Sequence, residues 1–189
     1  MSSRDISVHS HAVLPRAIPE LAEEEFRLFQ AFVLRESGIH LGDKSRAMLV
    51  SRLWKRLRAL QLRSFSSYYR RVKSDSEELV RMLDCICTNE TYFFREPAAF
   101  ECLRNRIFPE WIAEADANKR NKTLRIWSAA CSTGEEAYSL AMMLLTHFPH
   151  SAGWNVEVLG TDLSTKVLAQ ANTGIWPVER ISEVSADYQ

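Results

Sequence analysis

Two adjacent carboxylates, Glu135 and Glu136, close a run of small residues, Ser128 to Gly134, within LRIWSAACSTGEEAYSLAM at 124–142. Small side chains let a backbone approach a ligand, and a phosphate at the helix that follows would require basic residues or bare N–H groups. Two acids suit instead a cationic or hydroxyl-rich ligand, of which S-adenosylmethionine is one. A third acid, Asp162, ends NVEVLGTD at 155–162. In nucleotide-binding α/β folds an acid at the end of the second strand accepts hydrogen bonds from ribose hydroxyls. The same residue suits an N-cap or Asx turn ahead of the helix from Ser164, and both readings stand at this point.

The elements that must position these acids follow from hydrophobic periodicity. Leu124, Ile126 and Trp127 supply a buried strand, and Ala137 to Leu145 carry helical apolar spacing. Asn155 to Gly160 is a second strand and Ser164 to Ala171 a second helix, capped by Ser164 or Thr165. This strand–helix–strand–helix rhythm predicts an α/β domain. Upstream the spacing is helical throughout. Leu21 to Ser37 carries Phe26, Phe29 and Val33 on one stripe and stops at Gly38; a second helix is capped by Asp43 with Met48, Leu49, Leu53, Leu57 and Leu60 inward. Ser64 to Val72 is a short third helix, and Ser74-x-x-Glu77 is a capping box for a fourth with Leu79, Val80, Leu83 and Ile86 inward. The predicted layout is a flexible tail at 1–20, a helical domain at 21–88, a connector at 89–96 and an α/β domain at 97–189. That last domain opens with a helix at Pro97, packed through Phe100, Leu103 and Ile107, and a polar loop from Ala113 to Lys122.

Overall neutrality, 24 basic against 24 acidic residues, conceals a basic stretch: from Lys44 to Lys73 there are ten Lys or Arg and no Asp or Glu. Arg52, Lys55, Arg56 and Arg58 lie at helical i, i+3 and i, i+4 steps, a connected cationic face that repels itself unless an acid answers it. An acidic partner is one reading. A solvated face answered within the fold, by Glu23, Glu24 and Glu25 for instance, is the other. Nucleic acid is disfavoured by the neutral total and the absence of interleaved exposed aromatics.

No apolar run reaches the roughly 18 residues a membrane helix requires, and the amino terminus lacks the basic-then-apolar order of a signal peptide. Four cysteines, Cys85, Cys87, Cys102 and Cys131, read as thiols packed in cores, and the expected location is cytoplasmic. No metal is expected, since Cys85 and Cys87 on a helix point about 200° apart.

Three further stretches carry a family resemblance. NETYFFRE at 89–96, WSAACSTGEEAYSLAM at 127–142 and LGTDLSTKVLAQANTGIW at 159–176 occur in the order found in the CheR family of chemotaxis receptor methyltransferases, and RLWKRLRAL at 52–60 resembles its amino-terminal helical domain. The resemblance runs from about residue 21 onward. It implies an all-α domain followed by a Rossmann-like S-adenosylmethionine-dependent methyltransferase domain, here its first βαβα portion. It also implies transfer of a methyl group to glutamate side chains of chemoreceptor helices, leaving S-adenosylhomocysteine.

By the same resemblance, Asn89, Thr91 and Arg95 belong to a loop that closes over the cofactor, with Arg95 near the transferred methyl. Glu136 resembles the carboxylate that takes the cofactor's amino group, and Asp162 the ribose-binding acid. Arg52, Lys55, Arg56 and Arg58 resemble the receptor-docking face, Lys55 standing where the family has an arginine. Tyr92, Phe93 and Phe94 would wall the methyl pocket or simply pack. The family continues past the motif at 159–176 with further strands and a β subdomain, so this chain is expected to carry the amino-terminal part, with its first strand open at one edge and available for self-association. The alternative is a non-catalytic module that docks on acidic helices through the basic helix.

Overall fold

The computed structural model describes residues 18–182, 184, 185 and 188. The expected tail at 1–20 therefore lies outside the described residues up to 17. The chain divides into two compact units, Met1–Ile86 and Cys87–Gln189.

Among the described residues the first unit holds four α-helices: α1 (Glu23–Ser37), α2 (Arg46–Ala59), α3 (Phe65–Ser74) and α4 (Ser76–Ile86). In α1 the first-turn acids complement the helix dipole, Glu25 accepts from the Ala22 amide at 2.9 Å, and Gly38 ends the helix in the left-handed region at φ 73°. Leu49, Leu53 and Leu57, each four residues apart, put the fully buried stripe of α2 into one core with Phe26, Phe29 and Val33 of α1 and Phe65, Tyr68 and Val72 of α3, and α4 packs on both α2 and α3. Ser64 caps α3 by accepting from the Ser67 amide at 3.2 Å.

Three local expectations are corrected here. Asp43 does not cap α2: it opens a 3₁₀ turn, Asp43–Ser45, and its carboxylate meets the Gln30 amide at 3.5 Å instead. The capping box from Ser74 to Glu77 gives way to Asp75, whose Oδ1 accepts from the Glu77 and Glu78 amides, both at 3.1 Å. The Glu78 N–H foremost holds the Asp75 carboxyl below its usual range. Third, Val80 faces outward at 38% exposure, and Glu78 and Met82 take inward positions beside Leu83 and Ile86. A glutamate occupies the apolar stripe because Arg56 of α2 and Tyr68 of α3 satisfy it.

In the second unit a long helical stretch runs through α5 (Pro97–Cys102), a π turn at Leu103–Ile107 and α6 (Phe108–Asp116). The π turn has a local cause. Pro109 has no N–H to give the carbonyl four residues back and its ring crowds that carbonyl, so the helix widens ahead of it, the Phe108 amide reaching Leu103 O. The polar loop expected from Ala113 begins only at Ala117, because Ala113 to Asp116 continue the helix and Ala115 is buried. Ala and Glu are strong helix formers, and their polarity was no sign of a loop.

There follow β1 (Thr123–Ala129), α7 (Glu135–His147), β2 (Asn155–Thr161), α8 (Thr165–Thr173) and the short α9 (Val178–Ile181). The two strands pair in parallel from Thr123↔Asn155 to Ala129↔Thr161, with α7 as the crossover and packed on the pair. Leu124, Ile126, Val156 and Val158 face the core formed with Phe108, Met143, Leu144, Phe148 and Trp154. The alternate residues face outward: Trp127 is 67% and Leu159 57% exposed, with Arg125 and Glu157 paired at 3.2 Å beside them. Among the described residues β1 has β2 as its strand neighbour and no strand on its other edge. Of the cysteines only Cys131 is buried; Cys102 is exposed, which corrects its reading as a core residue.

Candidate functional site

Parallel register brings the carboxyl ends of β1 and β2 level, since Ser128 lies opposite Gly160 and Ala129 opposite Thr161. The loops leaving them are therefore neighbours, and the Cys131 amide continues the ladder to Thr161 O at 2.9 Å. The approach is close at Gly160, where an added Cβ would meet Cys131 Sγ at 3.0 Å and that side chain would have to shift. Burial, with Asp162 adding to it, pushes the Cys131 thiol above its ordinary range.

The loop from Ala130 to Gly134 is conformationally costly. Ala130 (φ 62°) and Ser132 (φ 50°) are left-handed without being glycine, at roughly 1–3 kcal/mol each. Such strain persists where the surrounding bonds over-determine it. The Ser132 amide donates to Asp162 Oδ2 at 2.9 Å, while Asp162 Oδ1 accepts from the Ser164 amide at 2.8 Å. Asp162 thus forms the Asx turn that precedes α8 and also ties the two loops together. The amide of the loop that would suit an anionic ligand already holds an internal carboxylate, and carboxylate oxygens with spare lone pairs are acceptors for hydroxyls.

The adjacent acids separate. Glu136 is exposed, with Oε1 accepting from the buried Ser128 hydroxyl at 2.7 Å. Glu135 is 1% exposed; its Oε2 accepts from Thr133 Oγ1 at 2.6 Å, and Arg180 Nη1 stands 3.9 Å from Oε1. Only Glu136 of the two offers a carboxylate to a ligand in solvent. The acceptor set, one outward carboxylate in the first turn of α7 bonded to Ser128 of β1 and one half-buried carboxylate at the end of β2, fits a ligand with an ammonium and vicinal hydroxyls.

The connector lies over the same loop. Asn89 O accepts from Ser132 Oγ at 3.0 Å, the Phe94 amide donates to Ser139 Oγ at 3.0 Å, and Thr91 O accepts from Arg180 Nη1 at 2.8 Å. Phe93 is buried edge-on against Trp176 at 5.2 Å, and Phe94 stacks on Tyr188 at 5.0 Å, whereas Tyr92 is 45% exposed. Two of these three aromatics are therefore packing residues. Arg95 is exposed, its Nη1 donating to Glu90 O at 2.7 Å and its guanidinium 5.9 Å from the centre of the Tyr92 ring. Left-handed Phe94 and Glu96 flank it, so the arginine is presented from a strained bend.

The basic helix of the first unit behaves differently from a uniform cationic face. Arg56 donates through Nε and Nη2 to the two oxygens of Glu78 at 2.9 and 2.5 Å, and Tyr68 adds its hydroxyl at 2.9 Å. Glu78 is 1% exposed, and its hydrogen bond holds the Arg56 guanidinium above its ordinary range. Burial foremost, then Glu78, raises the Tyr68 phenol. Arg52 is half-buried and donates to Ile86 O, while Lys55 and Arg58 are exposed. The acid that answers Arg56 is thus Glu78, not the Glu23–Glu25 cluster; Glu23 pairs with Arg27 and Arg46.

Several contributors are invisible in the pattern of residues. Ser128, Ser132 and Ser139 read only as small residues, yet each bonds a site element through its hydroxyl or amide. Trp176 closes the stretch at 159–176 with no role assigned to it, and Arg180 lies beyond that stretch. Only the fold returns them to the connector.

Comparison with known proteins bears on the chain from residue 24 onward. Residues 24–87 match the family model described as the CheR methyltransferase all-alpha domain, and residues 89–189 match that of the CheR methyltransferase SAM binding domain. A chemotaxis protein methyltransferase of Borreliella burgdorferi is 37% identical over 164 residues, covering 85% of this chain and 58% of the relative. A probable chemotaxis protein methyltransferase of Rhizobium etli is 37% identical over 155 residues, covering 81% and 57%. The Escherichia coli chemotaxis protein methyltransferase is 34% identical over 168 residues, covering 87% and 54%. The chain thus spans little more than half the length of these relatives. With both of its compact units matched in order, the chain belongs to the CheR methyltransferase family.

Proposed function

We propose that the second unit binds S-adenosylmethionine at the ends of β1 and β2, and that the protein to which this sequence belongs transfers its methyl group to glutamate side chains of chemoreceptor helices. One observation supports this above the others: Glu136 and Asp162, far apart in sequence, border one strained loop joined by the bond from Ser132 to Asp162. Glu136 would take the cofactor's ammonium and Asp162 its ribose hydroxyls. Asn89 and Thr91, whose carbonyls are tied to the loop and to Arg180, would cover it.

Bound S-adenosylmethionine supplies an electrophilic methyl on a sulfonium. A glutamate acceptor is ionised at neutral pH, so this chain has no proton to remove and its work is orientation and exclusion of water. Arg95 spends one N–H on Glu90 O and keeps further donors, which would hold an incoming carboxylate in line. Too firm a grip would favour the reactants over the transition state. Titration of this chain with S-adenosylhomocysteine in a calorimeter tests the cofactor site: saturable heat with one site per chain is the expected result, and none at millimolar ligand would count against it.

For docking, Lys55 and Arg58 are the exposed members of the cationic set, Arg52 is half-buried, and Arg56 serves the interior. An acidic receptor helix would be steered by the first two and by Arg52. Reversing Lys55 and Arg58 to glutamate should reduce receptor methylation at low salt by about tenfold or more, the scale of electrostatic steering, with affinity for S-adenosylhomocysteine unchanged. Equal loss of cofactor affinity would show that these residues do something else.

A further inference from the structure

Arg180 is reached by a specific route. Gly174, left-handed at φ 63°, turns the chain at the end of α8, where an added Cβ would meet the Tyr138 hydroxyl at 3.0 Å. The Tyr138 ring packs edge-on against Trp176 at 4.7 Å, and Trp176 meets buried Phe93 of the connector on another side. Pro177 then fixes the backbone at φ −56°, and the Arg180 amide closes onto Pro177 O at 3.0 Å. The side chain emerges between the connector and α7. There Nη1 donates to Thr91 O at 2.8 Å and stands 3.9 Å from Glu135 Oε1.

Glu135 is the reason this contact matters. A carboxylate 1% exposed is costly unless compensated. The Thr133 hydroxyl and the amino end of α7 supply part of the compensation, and Arg180 is the cation within ion-pair distance among the described residues. One guanidinium therefore joins the backbone of the connector to the first residue after the cofactor loop. Without it Thr91 O would lose its charged donor and Glu135 its counter-ion.

We infer that Arg180 is a positioning residue: by bridging Thr91 O and buried Glu135 it fixes the connector over the loop at 130–134, so that the cofactor meets a preformed site. This rests on the cofactor reading above, and the experiment separates the two. Hydrogen exchange on the ligand-free 189-residue chain should show the amides at 91–95, Phe94 above all, losing about tenfold or more of their protection in Arg180→Ala, with α7 beyond Leu140 unchanged. Arg180→Lys, which keeps a cation, should restore most of it. Affinity for S-adenosylhomocysteine should fall by about tenfold in Arg180→Ala, through slower association as the connector orders on binding.

Unchanged protection at 91–95, protection lost equally throughout the unit, or lost protection with undiminished affinity would each overturn the positioning role. Binding by the unsubstituted chain together with undiminished affinity in Arg180→Ala would leave the cofactor site standing and remove Arg180 from it. Absence of binding by the unsubstituted chain would remove the cofactor reading, and the exchange measurement would then decide whether Arg180 orders the connector.

Discussion

Arg56→Ala should destabilise the helical unit by about 3–5 kcal/mol, the cost of leaving a buried charge without its partner. Glu78 would keep one hydrogen bond, from Tyr68 at 2.9 Å, and a distant Arg81 at 3.8 Å, while the bidentate pair is lost. Such a loss is a large share of the 5–15 kcal/mol that holds a typical domain. Denaturant unfolding followed by far-ultraviolet circular dichroism would read it as a lowered midpoint. The partner experiment is sharper: Arg56→Met combined with Glu78→Leu removes both charges and should recover most of the loss, because apolar side chains of similar size replace a buried ion pair at little cost. If Arg56→Ala leaves stability within 1 kcal/mol of the parent, the pair is not structural and Arg56 returns to the docking face. The distinction affects interpretation. Under the proposed function, lost receptor methylation in an Arg56 variant is expected to follow from unfolding, whereas in a Lys55 or Arg58 variant it would test docking.

The second large effect concerns the two acids of the site, which should behave unlike each other. Glu136→Gln removes a charge from an exposed side chain held by one serine hydroxyl, so stability should stay within about 0.5 kcal/mol. Affinity for S-adenosylhomocysteine should nevertheless fall about 10–100-fold, the 1.5–3 kcal/mol of a charge-assisted hydrogen bond. Asp162→Ala should cost more in both respects. It strips an acceptor from the Ser132 and Ser164 amides, destabilising the loop by about 1–3 kcal/mol, and under the proposed function removes the acceptor for the ribose hydroxyls as well. Asp162→Asn separates the functions, since its single carbonyl can keep the Asx turn with Ser164 but cannot also accept from Ser132. Calorimetry and thermal unfolding on the same samples make the comparison. Equal affinity for parent and Glu136→Gln would exclude Glu136 as the ammonium ligand.

Much of the architecture was legible because local signals agreed. Apolar spacing in α1 and α2, the change from helical to strand rhythm at Leu124, the stop at Gly38 and the short helix opening near Ser64 each follow from side chains a few residues apart. The corrected points share a different cause. Val80 and Glu78 exchanged inward and outward places because the deciding partner of Glu78, Arg56, lies 22 residues away. Asp75 displaced Ser74 as a cap because Ser74 finds acceptors in its own helix, at Arg70 O and Arg71 O. The π turn before Pro109 required knowing that the helix continues through it.

The sequence by itself determined which residues could bind: acids where a phosphate site would have bases, on a strand–loop–helix whose small residues admit a ligand, and an acid closing the second strand. Chemical type and short-range spacing are local properties, so no fold was required to see them. Tertiary structure decided which of those residues are available. Of the adjacent pair it turned Glu136 to solvent and buried Glu135 under Arg180; of the basic set it left Lys55 and Arg58 exposed and committed Arg56 to Glu78. The reason is electrostatic. Whether a charge can serve a ligand depends on whether the fold has already given it a counter-charge out of water, and that partner is set by packing between elements distant in the chain.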